Sequence, residues 1–277
     1  MMQAHGAEMA AVMARHNIRI EGEGQQTLML AHGFGCNQSV WQFLKPLLVE
    51  HYRLVIFDYV GSGDSDLSAF DPVRYRSLEG YAQDVIGICE ALELEKVVFV
   101  GHSVSATIGM LASIERPELF DLLIMLSPSP CFLNHPPDYY GGFEEQDLQD
   151  LMDLMDKNYL GWASFLVPLV LGTSAGSSMI EKLEEDFCAN DPAATRVFAQ
   201  ATFFSDYRHA LSSVQHPTLI LQSAVDSLAN VEVGRYTQSQ ILGSKMKVID
   251  AEGHSLHMTH PVIVSEAILD FLHDRVV

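Results

Sequence analysis

Short apolar runs alternate with stretches of helical spacing along most of this chain. Thr27-Leu28-Met29-Leu30-Ala31, Arg53-Leu54-Val55-Ile56-Phe57-Asp58, Val97-Val98-Phe99-Val100 and Thr218-Leu219-Ile220-Leu221-Gln222 are nearly continuous in apolar character, the pattern of strands covered on both faces. Residues 119–126 read the same way and stop at Ser127-Pro128. Residues 17–23 alternate with period two and run into Gly22-Glu23-Gly24, which predicts an edge strand and a turn. Between the runs, 77–94 places Leu78, Tyr81, Val85, Ile88 and Cys89 on one helical face, and 104–112 opens a buried helix. Further on, a helix is predicted over 231–241, a strand over 245–249, and a last helix over 261–273 with Pro261 at or near its first position. This alternation predicts βαβ units, a mostly parallel sheet flanked by helices, and the α/β class.

The alternation breaks from about 135 to 205, where no strand pattern occurs and four helices are expected. The first, 144–157, carries Leu148, Leu151, Met152 and Met155 on one face, acids at its start and Lys157 at its end. The second, 162–171, is apolar all round, with Pro168 expected to kink it. Ser178-Met179-Ile180-Glu181 reads as a capping box opening the third, and Asp191-Pro192 starts the fourth, which runs towards Phe203-Phe204. Four helices set between strands of one sheet, without a linker, predict a lid over the sheet rather than a separate domain. The organisation expected is an irregular, loosely attached N-terminal extension over 1–12, a core over 13–134 and 206–277, and a lid over 135–205.

Composition narrows the class. A hydrophobic share of 48% over 277 residues supports a sizeable core and rules out a disordered chain. Sixteen basic against 36 acidic residues leave a net charge of −20, which repels phosphate backbones and anionic membranes, so neither nucleic acid nor a membrane is an expected partner. Cys36, Cys89, Cys131 and Cys188 are widely spaced without a C-x-x-C, the pattern of separate thiols. The first residues lack the basic start and apolar core of a signal peptide, and 162–171 is about half a membrane span, so a cytoplasmic protein is expected.

The candidate chemistry centres on Val97-Val98-Phe99-Val100-Gly101-His102-Ser103-Val104-Ser105. A buried strand, a tight turn carrying one hydroxyl and a buried helix describe a nucleophile elbow, G-x-S-x-G, with Ser105 in the last place. The plainer alternative is a serine capping a helix. A nucleophilic serine needs a base, and the base needs a group that fixes its tautomer. His254 follows a predicted strand in Glu252-Gly253-His254 and is the candidate base. His257 and His260 extend it to a His-x-x-His-x-x-His spacing, but no carboxylate or cysteine completes a recognisable metal motif, and no metal or organic cofactor is expected. Of two acids after Ser103, Asp226 ends the neighbouring strand and can reach across to the imidazole, whereas Asp250, four residues before His254, is expected to pair locally. His102 is expected to be structural. The backbone N–H of Val104 and that of Phe34, in His32-Gly33-Phe34-Gly35, are the candidate oxyanion donors.

Several stretches go beyond the elbow in specificity. They are His32-Gly33-Phe34-Gly35-Cys36-Asn37-Gln38-Ser39-Val40-Trp41, Phe57-Asp58-Tyr59-Val60-Gly61-Ser62-Gly63, Gly101-His102-Ser103-Val104-Ser105-Ala106, Ser127-Pro128-Ser129-Pro130-Cys131-Phe132-Leu133-Asn134, Tyr140-Gly141-Gly142-Phe143 and Phe204-Ser205-Asp206-Tyr207-Arg208. In these the chain resembles the α/β-hydrolase superfamily, in the branch of RsbQ-type bacterial stress-response regulators and plant strigolactone and karrikin receptor hydrolases, where Ser also replaces the last glycine of the elbow. The resemblance implies an α/β-hydrolase fold with a four-helix lid, a Ser103–His254–Asp226 triad, and a small apolar pocket lined by Phe34, Phe132, Phe143, Trp162 and Phe203. It implies a serine hydrolase of a small hydrophobic ester or lactone. The alternative it carries is a signalling regulator that binds a ligand in the same pocket and engages a sensor phosphatase.

Overall fold

The computed structural model describes residues 2–173 and 175–274. Strands β1 (Arg19–Glu21), β2 (Thr27–Ala31), β3 (Arg53–Phe57), β4 (Val97–His102) and β5 (Phe120–Leu126) belong to one sheet. A separate hairpin follows, β6 (Asn134–His135) and β7 (Tyr139–Tyr140), and β8 (Thr218–Val225) and β9 (Lys245–Glu252) return to the sheet. Its order is β1-β3-β2-β4-β5-β8-β9, with β1 antiparallel to β3 and every other pair parallel. All six residues of β4 are buried, which is why its sequence is apolar without alternation: it has a strand on each side and helices on both faces.

The helices are α1 (Met2–Arg15), α2 (Leu78–Ala91), α3 (Val104–Glu115), α4 (Glu145–Lys157), α5 (Tyr159–Leu171), α6 (Ser177–Ala189), α7 (Pro192–Phe203), α8 (Val231–Gln240), α9 (Leu256–Thr259) and α10 (Pro261–His273). Helices α4–α7 form the lid, inserted between β7 and β8. Its inner face is apolar: Leu148, Met152 and Met155 of α4, Trp162, Leu166 and Val167 of α5, Leu183 and Phe187 of α6, and Phe198 and Phe203 of α7 are buried.

Four local expectations are corrected. Residues 2–15 are helical rather than irregular, and Val12 and Met13 pack against the core while 6–11 are exposed. The hairpin β6–β7 falls where no strand was expected, because two-residue strands are too short to carry a period. Helix α5 begins at Tyr159, capped by the Asn158 side chain, three residues before the predicted start. The capping box is not at α6, whose N-cap is Gly176 without a side-chain bond; it is at α4, where Glu144 and Asp147 exchange bonds. Among the described residues no helix is long and apolar enough to cross a membrane.

Candidate active site

Parallel strands bring the loops at their carboxyl ends to one edge of the sheet, and the candidate residues lie on those loops. Ser103 stands between β4 and α3 with φ 56° and ψ −122°, a conformation that L residues rarely adopt and that lifts the side chain out of the turn. Its N–H is fixed by the carbonyl of Leu126, at 2.8 Å. Gly101 makes the turn possible, since a β-carbon there would lie 2.5 Å from the Ser105 carbonyl oxygen.

His254 and Asp226 arrive from the loops after β9 and β8. The Ser103 hydroxyl is 2.7 Å from His254 Nε2, and His254 Nδ1 is 2.8 Å from Asp226 Oδ2, all three side chains being buried. Asp226 Oδ1 accepts the backbone N–H groups of Leu228 and Ala229, at 2.9 and 3.0 Å, so the carboxylate is fixed at both oxygens. A carboxylate only accepts, so Nδ1 carries the imidazole proton and Nε2 is left to accept from Ser103. Asp250 is exposed on β9 and takes no part.

The His254 loop is tied down on two sides. The His254 and Ser255 N–H groups donate to the Val170 carbonyl of α5, at 2.8 and 3.1 Å, and His102 Nε2–H donates to the His254 carbonyl at 3.1 Å. His102 in turn packs against His257, and His257 against Trp41, with ring centroids 4.4 and 4.5 Å apart. Burial drives His102 far below the usual histidine range and holds His257 down to about 3, so both rings are neutral at pH 7. Of the three histidines in that spacing, His254 lies in the relay, His257 is a neutral ring packed between Trp41 and His102, and His260 is half-buried and bonds the Thr259 hydroxyl at 2.9 Å.

Val104 is the first residue of α3, whose opening N–H groups have no intrahelical acceptor. Phe34 sits opposite, in the loop after β2. That loop is shaped by His32, whose Nδ1–H donates to the Gly33 carbonyl at 2.8 Å while Nε2 accepts the Tyr59 N–H at 3.3 Å. Ser105 joins the two halves. Its hydroxyl donates to the His32 carbonyl, and that single proton being committed, the Tyr59 hydroxyl donates to Ser105 Oγ at 2.9 Å. Where the usual elbow has a glycine, this chain has a buried bolt between the elbow and the loop carrying Phe34.

The cavity above Ser103 is small, about 20 Å³, and is lined by Phe34, Cys36, His102, Phe132, Leu166, Val170, Phe187, Thr202, Phe203, Leu228 and His254. Of the expected aromatics, Phe34, Phe132 and Phe203 face it. Trp162 and Phe143 stand one layer back, Trp162 against Phe34 at 5.8 Å and Phe143 against Phe132 at 6.4 Å. Phe187, Leu166, Val170 and Thr202 were missed, because which face of a lid helix turns inward depends on tertiary packing that periodicity alone leaves open. A larger basin of about 490 Å³, lined by Arg19, Lys45, Asp58 and Lys182 among others, shares no lining residue with the cavity above Ser103.

The sheet order, the strained serine at the end of β4 and the order serine, aspartate, histidine along the chain define the class, and the chain belongs to the alpha/beta hydrolase family, whose model matches residues 28–267. Among its relatives is Karrikin insensitive 2 receptor CA of Petunia hybrida, 43% identical over 266 residues, covering 96% of this chain and 98% of the relative. Strigolactone esterase D14 of Arabidopsis thaliana is 36% identical over 251 residues, covering 90% and 93%. Among solved structures, the hydrolase olei00960 of Oleispira antarctica is 49% identical with a TM-score of 0.94, covering 96% of this chain and 98% of that one.

Proposed function

We propose that the protein is a serine hydrolase of small hydrophobic esters or lactones, with Ser103 as nucleophile, His254 as general base and acid, and Asp226 as the group that orients His254. The observation that carries this reading is the unbroken relay from Ser103 Oγ through both nitrogens of His254 to Asp226. His254 Nε2 takes the Ser103 proton as Oγ attacks the carbonyl carbon. The negative charge that develops on the carbonyl oxygen is held by the Phe34 and Val104 N–H groups, each such donor contributing on the order of 10²–10³ in rate. The imidazolium returns its proton to the leaving alkoxide, which departs as an alcohol and leaves an acyl ester on Ser103. Water, deprotonated by His254, then hydrolyses that ester and regenerates the serine. The apolar lining favours a hydrophobic acyl group, and the relatives named as strigolactone esterases support a lactone or ester as substrate. The division into a core over 13–134 and 206–277 and a cover over 135–205 belongs to the same proposal, as does a cytoplasmic location, which the four free cysteines support.

A second reading is supported by the size of the cavity and by relatives named as karrikin receptors: a regulator whose pocket binds or slowly hydrolyses a ligand before the lid engages a partner such as a signalling phosphatase. Intact-protein mass spectrometry after incubation with a butenolide or a p-nitrophenyl ester tests both. An acyl adduct mapped to Ser103, absent in Ser103→Ala, is the expected result; undiminished ester hydrolysis by Ser103→Ala would sink the mechanism. Fast turnover favours the enzyme, and slow turnover with a large ligand-induced rise in melting temperature favours the regulator.

A further inference from the structure

We propose that Cys131, His135 and Asp206 form a zinc-type metal site that clips together the two segments of chain entering and leaving the lid. Cys131 Sγ lies 3.5 Å from His135 Nε2, His135 Nε2 lies 3.8 Å from Asp206 Oδ2, and one donor atom from each residue falls within 4.8 Å of the other two. In a tetrahedral zinc site, bonds of about 2.3 Å to sulfur and about 2.0 Å to nitrogen place those two atoms about 3.5 Å apart. Among the described residues this is the group of three such side chains with their donors gathered together.

The backbone beneath the three ligands is already held by hydrogen bonds. Cys131 and Asp206 face each other across an antiparallel bridge, and the Tyr207 N–H donates to the Pro130 carbonyl at 2.9 Å. His135 lies on β6, paired with Tyr139 of β7, whose hydroxyl donates to the Cys131 carbonyl. The Arg208 guanidinium donates to both oxygens of Asp206, at 2.8 and 2.6 Å, and rests over the Tyr139 ring. With the Arg208 backbone N–H also donating to Oδ1, at 3.1 Å, it fixes the carboxylate plane and leaves Oδ2, the oxygen facing His135, a second lone pair for an ion, the orienting part that outer partners of metal ligands play. Cys131 is buried while His135 and Asp206 are about two-fifths exposed, so the fourth position opens to solvent and takes water.

A thiolate, an imidazole and a carboxylate suit zinc or cobalt and exclude magnesium and calcium, which need oxygen ligands. Binding displaces the Cys131 thiol proton to solvent, and thiolate and carboxylate then offset the two charges of the ion. All of α4–α7 lies between His135 and Asp206, so an ion here closes the base of the lid as a covalent staple would. It also steadies Phe132, which follows Cys131 directly and lines the cavity above Ser103.

The chelator-treated full chain titrated with cobalt(II) tests this. Expected are one equivalent bound, visible bands of tetrahedral cobalt, and a thiolate-to-cobalt charge-transfer band that zinc abolishes by displacement. Cys131→Ser should remove the charge-transfer band. His135→Ala, at a partly exposed position that folding tolerates, should weaken binding by about 100-fold or more. Zinc should slow amide exchange in α4 and α7 of the parent protein and leave the His135→Ala variant unchanged. Octahedral spectra, binding confined to millimolar metal, or affinity indifferent to His135→Ala would each overturn the proposal. So would a charge-transfer band that survives Cys131→Ser, which would assign the thiolate to the partly exposed Cys188.

Discussion

Replacing His257 by Phe should make the protein more resistant to acid, by an amount the structure sets. His257 is fully buried between Trp41 and His102, and neither ring nitrogen has a hydrogen-bond partner among the described residues. Burial, followed by the nearby His254, holds its pKa down to about 3 against an ordinary value of 6.5. Between those two values the unfolded chain binds a proton at this position that the folded chain does not. The stability is therefore complete above about pH 6.5 and is lost progressively as the pH falls towards 3. At pH 4.5, two pH units below the unfolded value, the loss amounts to ~3 kcal/mol at 1.36 kcal/mol per unit. His257→Phe keeps a ring against Trp41 and removes the titrating group. Urea unfolding of both proteins at pH 7.5 and 4.5 isolates the effect, because any steric cost of the larger ring is present at both pH values and cancels. Groups distant from the substitution cancel likewise; His102 keeps burial, the first cause of its own downward shift, but loses the second, His257 itself, so its small relief counts with the effect of removing His257. The parent protein should lose ~3 kcal/mol more than the variant between the two pH values. Equal losses would refute the reasoning.

Three further substitutions probe the site. Asp226→Asn should lower kcat for p-nitrophenyl esters on the order of 10³–10⁴-fold, the size expected when the acid that fixes a catalytic imidazole is neutralised, while Asp250→Asn stays within twofold, or about 0.4 kcal/mol; the reverse ranking in steady-state assays would exclude the relay through Asp226. Ser105→Ala leaves the buried Tyr59 hydroxyl without its acceptor and frees the loop carrying Phe34. It should cost about 1–3 kcal/mol in chemical denaturation and lower kcat roughly tenfold with little change in KM; an unchanged kcat would separate Ser105 from the oxyanion loop. Phe187→Ala empties the roof of the cavity at a cost of about 3–5 kcal/mol. It should raise kcat/KM for butyrate and hexanoate esters relative to acetate, and an unchanged chain-length profile measured well below the melting temperature would show that Phe187 does not limit the pocket.

The parts of this molecule that follow from local chemistry were legible in the sequence. β4 declares itself because a strand covered on both faces is apolar up to the turn at its end, Ser103 and Asp226 stand out because each is a polar residue just past a buried strand, and His254 because it follows a glycine after the edge strand β9. What sequence left open depends on how elements turn towards one another. Trp162 and Phe187 are both buried aromatics of the lid, yet Phe187 faces Ser103 and Trp162 stands behind Phe34. No spacing rule separates them, because both lie on inward faces of their helices. The role of Ser105 was equally hidden: as a letter it is a departure from the elbow pattern, and only the approach of His32 and Tyr59 turns it into a bolt. Helix α1 was missed for a different reason. Its Ala- and Met-rich sequence favours helix, but its mixed pattern carries no clear apolar stripe.

The way the lid joins the His254 loop restricts how a ligand can enter. Sites for small molecules commonly enclose about 300–1,000 Å³, and the cavity above Ser103 offers about 20 Å³, so binding must move side chains of the lid. Helix α5 is poorly placed to yield. Its last turn presents the Val170 carbonyl, one of the acceptors a helix leaves unused at its C-terminus, to the N–H groups of both His254 and Ser255. Gly253 approaches the same turn so closely that a β-carbon there would lie 2.4 Å from the Leu171 carbonyl oxygen. Outward movement of Leu166 and Val170 therefore pulls on the loop whose imidazole sits 2.7 Å from Ser103 and 2.8 Å from Asp226. Space gained on the side of Phe187 and Phe203, on α6 and α7, leaves that relay intact. A pocket occupant that presses on α6 and α7 is therefore expected to leave the relay in place, and one that forces α5 outward to draw His254 away from Ser103.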